Sequence, residues 1–426
     1  MTDHTKKHYY AILGLALVTA VTFFSVLLPP KAVVANDSPL SSIIIRQKML
    51  NENQLVTWNA NGYLGIGGGA LTRSINSPLI RWLPAQYYNT VLFTLCTFLV
   101  GAGMYLFCIT LGIKPLASFC GSCSLMLSGP FITAVYSGHS GTFIMWAFLC
   151  LALWLVTWGV YTRNVLALGW SGICGGIGVR SQLDIGFIIV LFFFAWLVYI
   201  IWQTRAKKVW LKLSAGLAIA VVAGFLFSAS SIYSLMGLAS ESTGEGTAVT
   251  TERTPEEQWN WATQWSLPKI ETLTFIVPGF FGWGHTVPYW GSIGRDARWP
   301  ESGFPRFSIS TQNIGVVVIA LSILGLCAYA FNSNQHRGVI VFWSIAALIA
   351  LLFAWGRYLD IAPTSATGFG PYRVFYLLPK MDAMRNPIKF LYPFMLGLAV
   401  CAAYGFNYLQ DMLESPASKK EKKHRR

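Results

Sequence analysis

Tyr9-Tyr-Ala-Ile-Leu-Gly-Leu-Ala-Leu-Val-Thr-Ala-Val-Thr-Phe-Phe-Ser-Val-Leu-Leu28, followed by Pro29-Pro-Lys-Ala-Val-Val-Ala-Asn36-Asp37, decides the fold class. The first part is an apolar run of about 20 residues, the length that crosses the hydrocarbon core of a bilayer. It exceeds the roughly 7–15-residue apolar core of a signal peptide, and Pro29-Pro30-Lys31 is a poor cleavage site. A retained first helix is therefore expected, with Asp37 on the side of the membrane away from the N-terminus. An ionisable group held that close to the bilayer is costly and is a functional candidate by default. The competing reading is that Asp37 simply ends the span or caps the helix that follows.

The rest of the chain has the same character. Of its 426 residues 54% are hydrophobic and 11% charged, and the mean hydropathy is +0.52. A soluble domain carries about 25% charged residues, so most of this chain must face lipid or other buried helices. Segments 9–28, 88–111, 115–136, 142–161, 164–179, 185–202, 210–237, 313–332, 338–355 and 389–410 are apolar, with 164–179 short and rich in glycine. An all-α, polytopic transmembrane helical bundle of about ten spans is expected. It occupies residues 1–412, with a basic tail over 413–426. The eight cysteines (Cys96, Cys108, Cys120, Cys123, Cys150, Cys174, Cys327 and Cys401) all fall in apolar segments, so no extracytoplasmic disulfide is expected. Cys120-Gly-Ser-Cys123 has redox-motif spacing but lies mid-segment, where small residues at a helix–helix contact are the expected reading. No internal repeat is evident, which leaves an inverted-repeat transporter without support.

Charge sets the orientation. Short loops on the N-terminal side hold Lys6, Lys7, Lys114, Arg163, Arg205, Lys207, Lys208, Lys212 and Arg337, and the tail adds Lys419 to Arg426. By the positive-inside rule both termini are expected in the cytoplasm. Topology then accounts for the +14 net charge, and no nucleic-acid partner is expected. The tail reads as a solvated topology anchor, with attraction to anionic lipid as the alternative. The noncytoplasmic side collects the polar chemistry. Its outer loops are 29–87, 238–312 and 356–388, with short turns at Ser137-Gly-His139-Ser-Gly141 and Arg180-Ser-Gln182-Leu-Asp184.

Several residues on that side have the right chemistry. Residues 38–52 read as a short interfacial helix, Ser38 being its N-cap and Pro39 in its first turn, so that Asp37 would sit beside exposed backbone N–H groups. Trp58-Asn59-Ala-Asn61-Gly-Tyr63-Leu-Gly65-Ile-Gly67-Gly68-Gly69 reads either as a binding loop or as a tight loop without a ligand. It is not a phosphate-binding P-loop, because the Gly-Lys-Ser/Thr ending is absent. His139 stands between two glycines at a helix end, where an imidazole can donate to a phosphate or move a proton. Arg180 and Asp184 flank Gln182; they read as a structural ion pair or, alternatively, Arg180 holds a phosphate. The aromatics of 259–291 suit a membrane belt or sugar stacking. Glu271, His285 and Asp296 are too far apart in sequence to assert a metal site. Arg385 and Lys389 fall where a lipid phosphate would sit, with interfacial snorkelling as the competing reading.

Taken in order, these motifs resemble the YfhO family of bacterial membrane proteins, within the GT-C class of integral-membrane glycosyltransferases. The matching pieces are Asp37 after the first span, Trp58 to Gly69, Gly138-His139 opening a later helix, Gln182-Leu-Asp184-Ile-Gly186 and Leu378-Pro to Arg385-Asn-Pro-Ile-Lys389-Phe390. The resemblance implies a GT-C-like bundle in a bacterial inner membrane, its first outer loop bearing the catalytic acid. It implies a sugar donor linked to polyprenyl phosphate and an envelope glycan, lipid or protein as acceptor. Asp37 would be catalytic, and Trp58, Asn59, His139, Arg180, Gln182, Asp184, Arg385 and Lys389 would bind substrate. A divalent cation is the one cofactor left open, the first outer loop offering a single Asp. Chains of that family usually continue with further spans or an outer domain. The rival classes are a lipid-linked substrate transporter or flippase, expected to bury charges mid-span, and a noncatalytic scaffold, expected to leave the site residues scattered.

Overall fold

Long apolar runs separated by polar breaks fold as helices almost throughout, since a helix satisfies every backbone group within its own segment. The structure, a computed structural model, describes residues 3–29, 31–35, 37–52, 58–59, 66–67, 74–204, 210–241, 254–282, 289–293, 312–331, 336–360, 368–378, 381 and 384–414. Helix α1 (Asp3–Thr22) continues into the single turn α2 (Phe24–Leu27). Two short helices follow, α3 (Leu40–Asn51) and α4 (Ser77–Trp82), and between them β1 (Trp58–Asn59) pairs antiparallel with β2 (Ile66–Gly67). The bundle then runs through α5 (Ala85–Thr110), α6 (Pro115–Met126), α7 (Gly129–Ile132), α8 (Ala134–Ser137), α9 (Ser140–Thr162), α10 (Val165–Ser181), α11 (Leu183–Thr204) and α12 (Trp210–Glu241). After α13 (Pro255–Thr263) come α14 (Val316–Ala330), α15 (Arg337–Ala354), α16 (Pro371–Tyr376) and α17 (Leu391–Glu414).

Among the described residues six helices are long and apolar enough to cross a membrane, or up to seven if the bent pair Pro115–Met126 and Gly129–Ser137 is one span. The other expected segments are helical too, but α1, which begins in the polar stretch with Lys6 and Lys7 and ends at Thr22, is not among the six. Helices α10 and α14 have only 17 and 15 residues, where a span needs about 20. The 51° bend in the segment expected over 115–136 has a local cause. Pro130 has no N–H to donate to the preceding turn, so the helix stops at Met126, Ser128 turns extended (ψ 138°), and Pro130 sits in the first turn of α7, where no N–H is needed. The freed Gly129 N–H donates to Asn313 O at 2.7 Å instead.

Glycines set how closely the helices approach. A Cβ on Gly172 or Gly176 of α10 would fall within 3.0 Å of the backbone of Ala220 or Gly224 in α12, and Gly325 and Gly405 meet in the same way between α14 and α17. Cys120-Gly-Ser-Cys123 lies on such a contact, a Cβ on Gly121 coming to 2.7 Å from Ala403 Cβ. All eight cysteines are free.

A second apolar core caps one end of the bundle. Trp259 of α13, Tyr372 and Phe375 of α16, and Phe390 are buried together there, above Ala350 and Ala354 of α15. Arg373 anchors this cap, its Nε donating to Asp360 Oδ2 at 2.8 Å and its guanidinium lying 3.8 Å over the Trp259 ring. Glu271 is buried and accepts from Tyr289 Oη at 2.6 Å and Ser292 N at 2.8 Å, so it serves the cap's architecture. His285 and Asp296 lie outside the described residues.

The opposite end is closed by Lys114, which reaches Asp411 and Glu414 of α17 at 2.6 Å each. His8 Nδ1 meets Tyr105 Oη there at 2.7 Å. The first turns of α1 and the last turn of α17 therefore share one end of the bundle, and the cap occupies the other.

Candidate functional site

Asp37 belongs to a tight loop held by backbone. Its N–H donates to Ser137 O at 3.0 Å, and Ala35 and Ser38 bridge each other. The expected Ser38 cap does not form. Pro39 occupies the N-cap of α3 without a side-chain cap bond, and the Ser38 hydroxyl donates to Asn89 Oδ1 at 2.9 Å. Asn89, buried in the first turns of α5, returns a bond from Nδ2 to Ser38 O at 3.0 Å, and Thr90 Oγ1 accepts from Val33 N at 3.0 Å. A buried amide that can both donate and accept has found both partners in one loop. The Asp37 carboxylate is thus oriented by its loop and not by a helix N-terminus.

Its partner is His139. Nε2 of His139 lies 2.9 Å from Asp37 Oδ2. Gly138 makes this approach possible with φ +84°, where a Cβ would stand 2.7 Å from Ala35 Cβ and 2.9 Å from Ser38 N. Only glycine takes that conformation routinely, and here the space forbids a side chain as well. The His139 and Asp37 side chains remain 38% and 60% exposed, which leaves the pair open to a substrate.

The turn over 180–184 lies against this one. A Cβ on Gly141 would meet Ser181 O and stand 2.9 Å from Gln182 Oε1, so the two turns are in contact. Gln182 Nε2 donates to Asp184 Oδ1 at 3.0 Å, which also accepts from Ile185 N at 2.8 Å. The other oxygen, Oδ2, pairs with Lys389 Nζ. The cation that pairs with Asp184 thus comes from the far end of the chain, as Lys389, and not from Arg180 as the ion-pair reading expected. Lys389 is positioned by the 3₁₀ turn Pro387–Phe390, which the cap fixes through Asn386 N to Ala262 O at 2.9 Å and Ile388 N to Trp265 O at 3.1 Å. Asn386 takes φ +74° at this junction.

The remaining sequence candidates sit around that centre or away from it. Arg385 is exposed, its guanidinium 5.6 Å over the Trp261 ring of α13. Arg180 ends α10, where its carbonyl accepts from Ser231 Oγ at 3.3 Å. Trp58 and Asn59 pair through their backbone with Gly67 and Ile66, and their side chains lie outside the described residues.

Sequence reading passed over Thr142 and Trp146. Both are completely buried near the start of α9, and among the described residues the Thr142 hydroxyl and Trp146 Nε1 complete no hydrogen bond of full geometry. Thr142 faces the Tyr392 phenol without completing a bond to it, and the Trp146 and Tyr392 rings lie 6.0 Å apart. The signal was present as spacing. His139, Thr142 and Trp146 recur at i, i+3 and i+7, the period of one helix face. Buried donors left unmade cost about 1–3 kcal/mol each and mark a place where a polar group is wanted.

Chemically, the arrangement offers an accessible carboxylate–imidazole pair beside an ammonium–carboxylate pair. Two buried donors line the adjoining face of α9. Among the described residues no three His, Cys, Asp or Glu side chains converge as metal ligands. No protein-family model matches this chain, and no curated protein aligns with it significantly.

Proposed function

We propose that the protein is a GT-C-like membrane glycosyltransferase. It would transfer a sugar from a polyprenyl-phosphate donor to an envelope acceptor on the noncytoplasmic face of a bacterial inner membrane, through about ten spans with both termini cytoplasmic. The observation that carries this reading is the Asp37–His139 contact at 2.9 Å, in an exposed position beside the outer turns. In this mechanism Asp37 takes the proton from the acceptor hydroxyl as its oxygen attacks the anomeric carbon. The bond from that carbon to the phosphate oxygen breaks, its electron pair leaves with polyprenyl phosphate, and the anomeric configuration inverts. His139 orients the carboxylate. Arg385 and Arg180, with Lys389 held in place by Asp184, supply positive charge toward the departing phosphate. The lipid phosphate is the leaving group, so no nucleotide site is required.

A flippase would carry charge through the bundle, whereas the Asp37, His139, Asp184 and Lys389 side chains gather at helix ends on one side. A scaffold has no need of a carboxylate held against an imidazole by a glycine that tolerates no side chain. The test incubates purified protein in lipid with a panel of polyprenyl-phosphate sugars and follows release of polyprenyl phosphate. Asp37→Asn is expected to lower release by at least about 100-fold with unchanged thermal stability. Retained turnover in the variant would remove Asp37 from the mechanism. No release from folded wild-type protein with any donor would overturn the glycosyltransferase reading.

A further inference from the structure

The cap carries an apolar ridge with a helical cause. In the 3₁₀ helix Lys269–Phe275 side chains three residues apart eclipse one another. Glu271 and Thr274 line up on the buried side, while Ile270, Leu273 and, one step past the helix, Ile276 line up on the exposed side. Ile270 is 71% exposed. The ridge continues through Val277 and Phe280 to Trp290, all exposed and all apolar, the Phe280 and Trp290 rings 5.7 Å apart. Globular surfaces scatter their exposed apolar residues singly, and a contiguous line of six marks an interaction surface.

Its position says what covers it. Phe275 O accepts from both Ile314 N and Gly315 N at 3.1 Å, so the ridge is joined to the start of α14. That helix turns Ser322, Gly325 and Tyr329 inward, with Gly325 closing on α17, and leaves Val316, Val317 and Ile323 exposed, Val317 by 66%. In a membrane-embedded bundle that outward face of α14 meets lipid, and the ridge extends the same surface. At its edges stand Lys269 and Trp290, the residue types that settle at the headgroup level. We infer that Ile270, Leu273, Ile276, Val277, Phe280 and Trp290 insert into the outer leaflet at the boundary of headgroups and acyl chains, so that the cap is seated in the membrane surface. This inference requires a membrane-embedded chain and is independent of sugar transfer.

The test uses full-length protein in phosphatidylcholine–phosphatidylglycerol vesicles. Cys327, the exposed one of the free cysteines, is replaced by Ser, and Ile270→Cys, Ile276→Cys, Phe280→Cys and a control, Glu256→Cys on α13, are labelled with an environment-sensitive fluorophore. Lipids carrying a nitroxide near the top of the acyl chain should quench the three ridge labels by about half and shift their emission to the blue, with the control unaffected. Ridge labels quenched no more than the control would overturn the inference. Blue-shifted ridge labels that the nitroxide does not quench would also overturn it, since another protein surface would then be the occupant. On the unsubstituted protein, a lipid bearing a photoreactive diazirine on its acyl chain should tag residues 270–280 as well as α14. Tagging of α14 alone would count against the inference.

Discussion

Gly138 is the residue on which the candidate site turns. It lets one loop pass over another so that a carboxylate and an imidazole from distant parts of the chain meet. Gly138→Ala places a side chain in the left-handed region, costing roughly 1–2 kcal/mol, and adds a clash with Ala35 Cβ at 2.7 Å. The loop must move, and Asp37 moves with it. The expected outcome is a fall of several degrees in the thermal unfolding midpoint in detergent together with loss of donor-dependent polyprenyl-phosphate release. An unchanged midpoint with full release would show that the loop repacks without cost. Asn89 fastens the same loop from below. Its sequence neighbours give no hint of this, because a polar residue in the first turn of an apolar helix reads equally well as a solvated end.

At the scale of elements, one charged link near the cap is the Asp184–Lys389 pair, which joins the first turn of α11 to the turn before α17. Their side chains are 30% and 17% exposed, so water screens the pair only in part. Removing one partner leaves a poorly solvated charge, whereas removing both does not. Asp184→Asn and Lys389→Met are each expected to cost about 1–3 kcal/mol, and the double variant less than the sum. Thermal unfolding of the four proteins measures this coupling. Additive costs would mean that the two side chains contribute independently and the pair adds no coupling of its own. The elements themselves were largely readable beforehand. Every apolar segment marked in the sequence is helical, although the segment over 115–136 breaks at Leu127-Ser128, just before Pro130, and those over 164–179 and 313–332 form helices shorter than a span. Hydropathy registers how apolar a run is, but not where a proline turns it or how far its helix extends.

For the whole molecule, the end opposite the cap contains a pH-sensitive contact. His336, where α15 begins, lies beside Tyr404 of α17, its Nδ1 3.4 Å from the phenol oxygen, and edge-on to Tyr329. Burial lowers its imidazole below the ordinary range, and the Asp411 carboxylate only partly opposes this. With the folded value depressed, the unfolded chain binds the proton more readily. The stabilising effect of the neutral ring is therefore present above the unfolded value of about 6.5 and is lost as pH falls through the folded one. Wild-type protein should lose thermal stability between pH 7.5 and 5.5 more steeply than His336→Gln. Parallel pH profiles would mean that the contact contributes nothing to closing this end.

By itself the sequence determined that this is a helical membrane-type chain and that its ionisable residues concentrate at helix ends. Both follow from local composition, because a bilayer-length apolar run leaves its backbone no alternative to a helix. It also marked Asp37, His139, Gln182, Asp184 and Lys389 one by one as residues of suitable chemistry. Only the tertiary structure decided that Asp37 meets His139 across 102 positions and Asp184 meets Lys389 across 205, leaving Thr142 and Trp146 as buried donors beneath them. Such pairings depend on which helix ends the glycine-mediated contacts bring together, and no periodicity within a single segment encodes that choice.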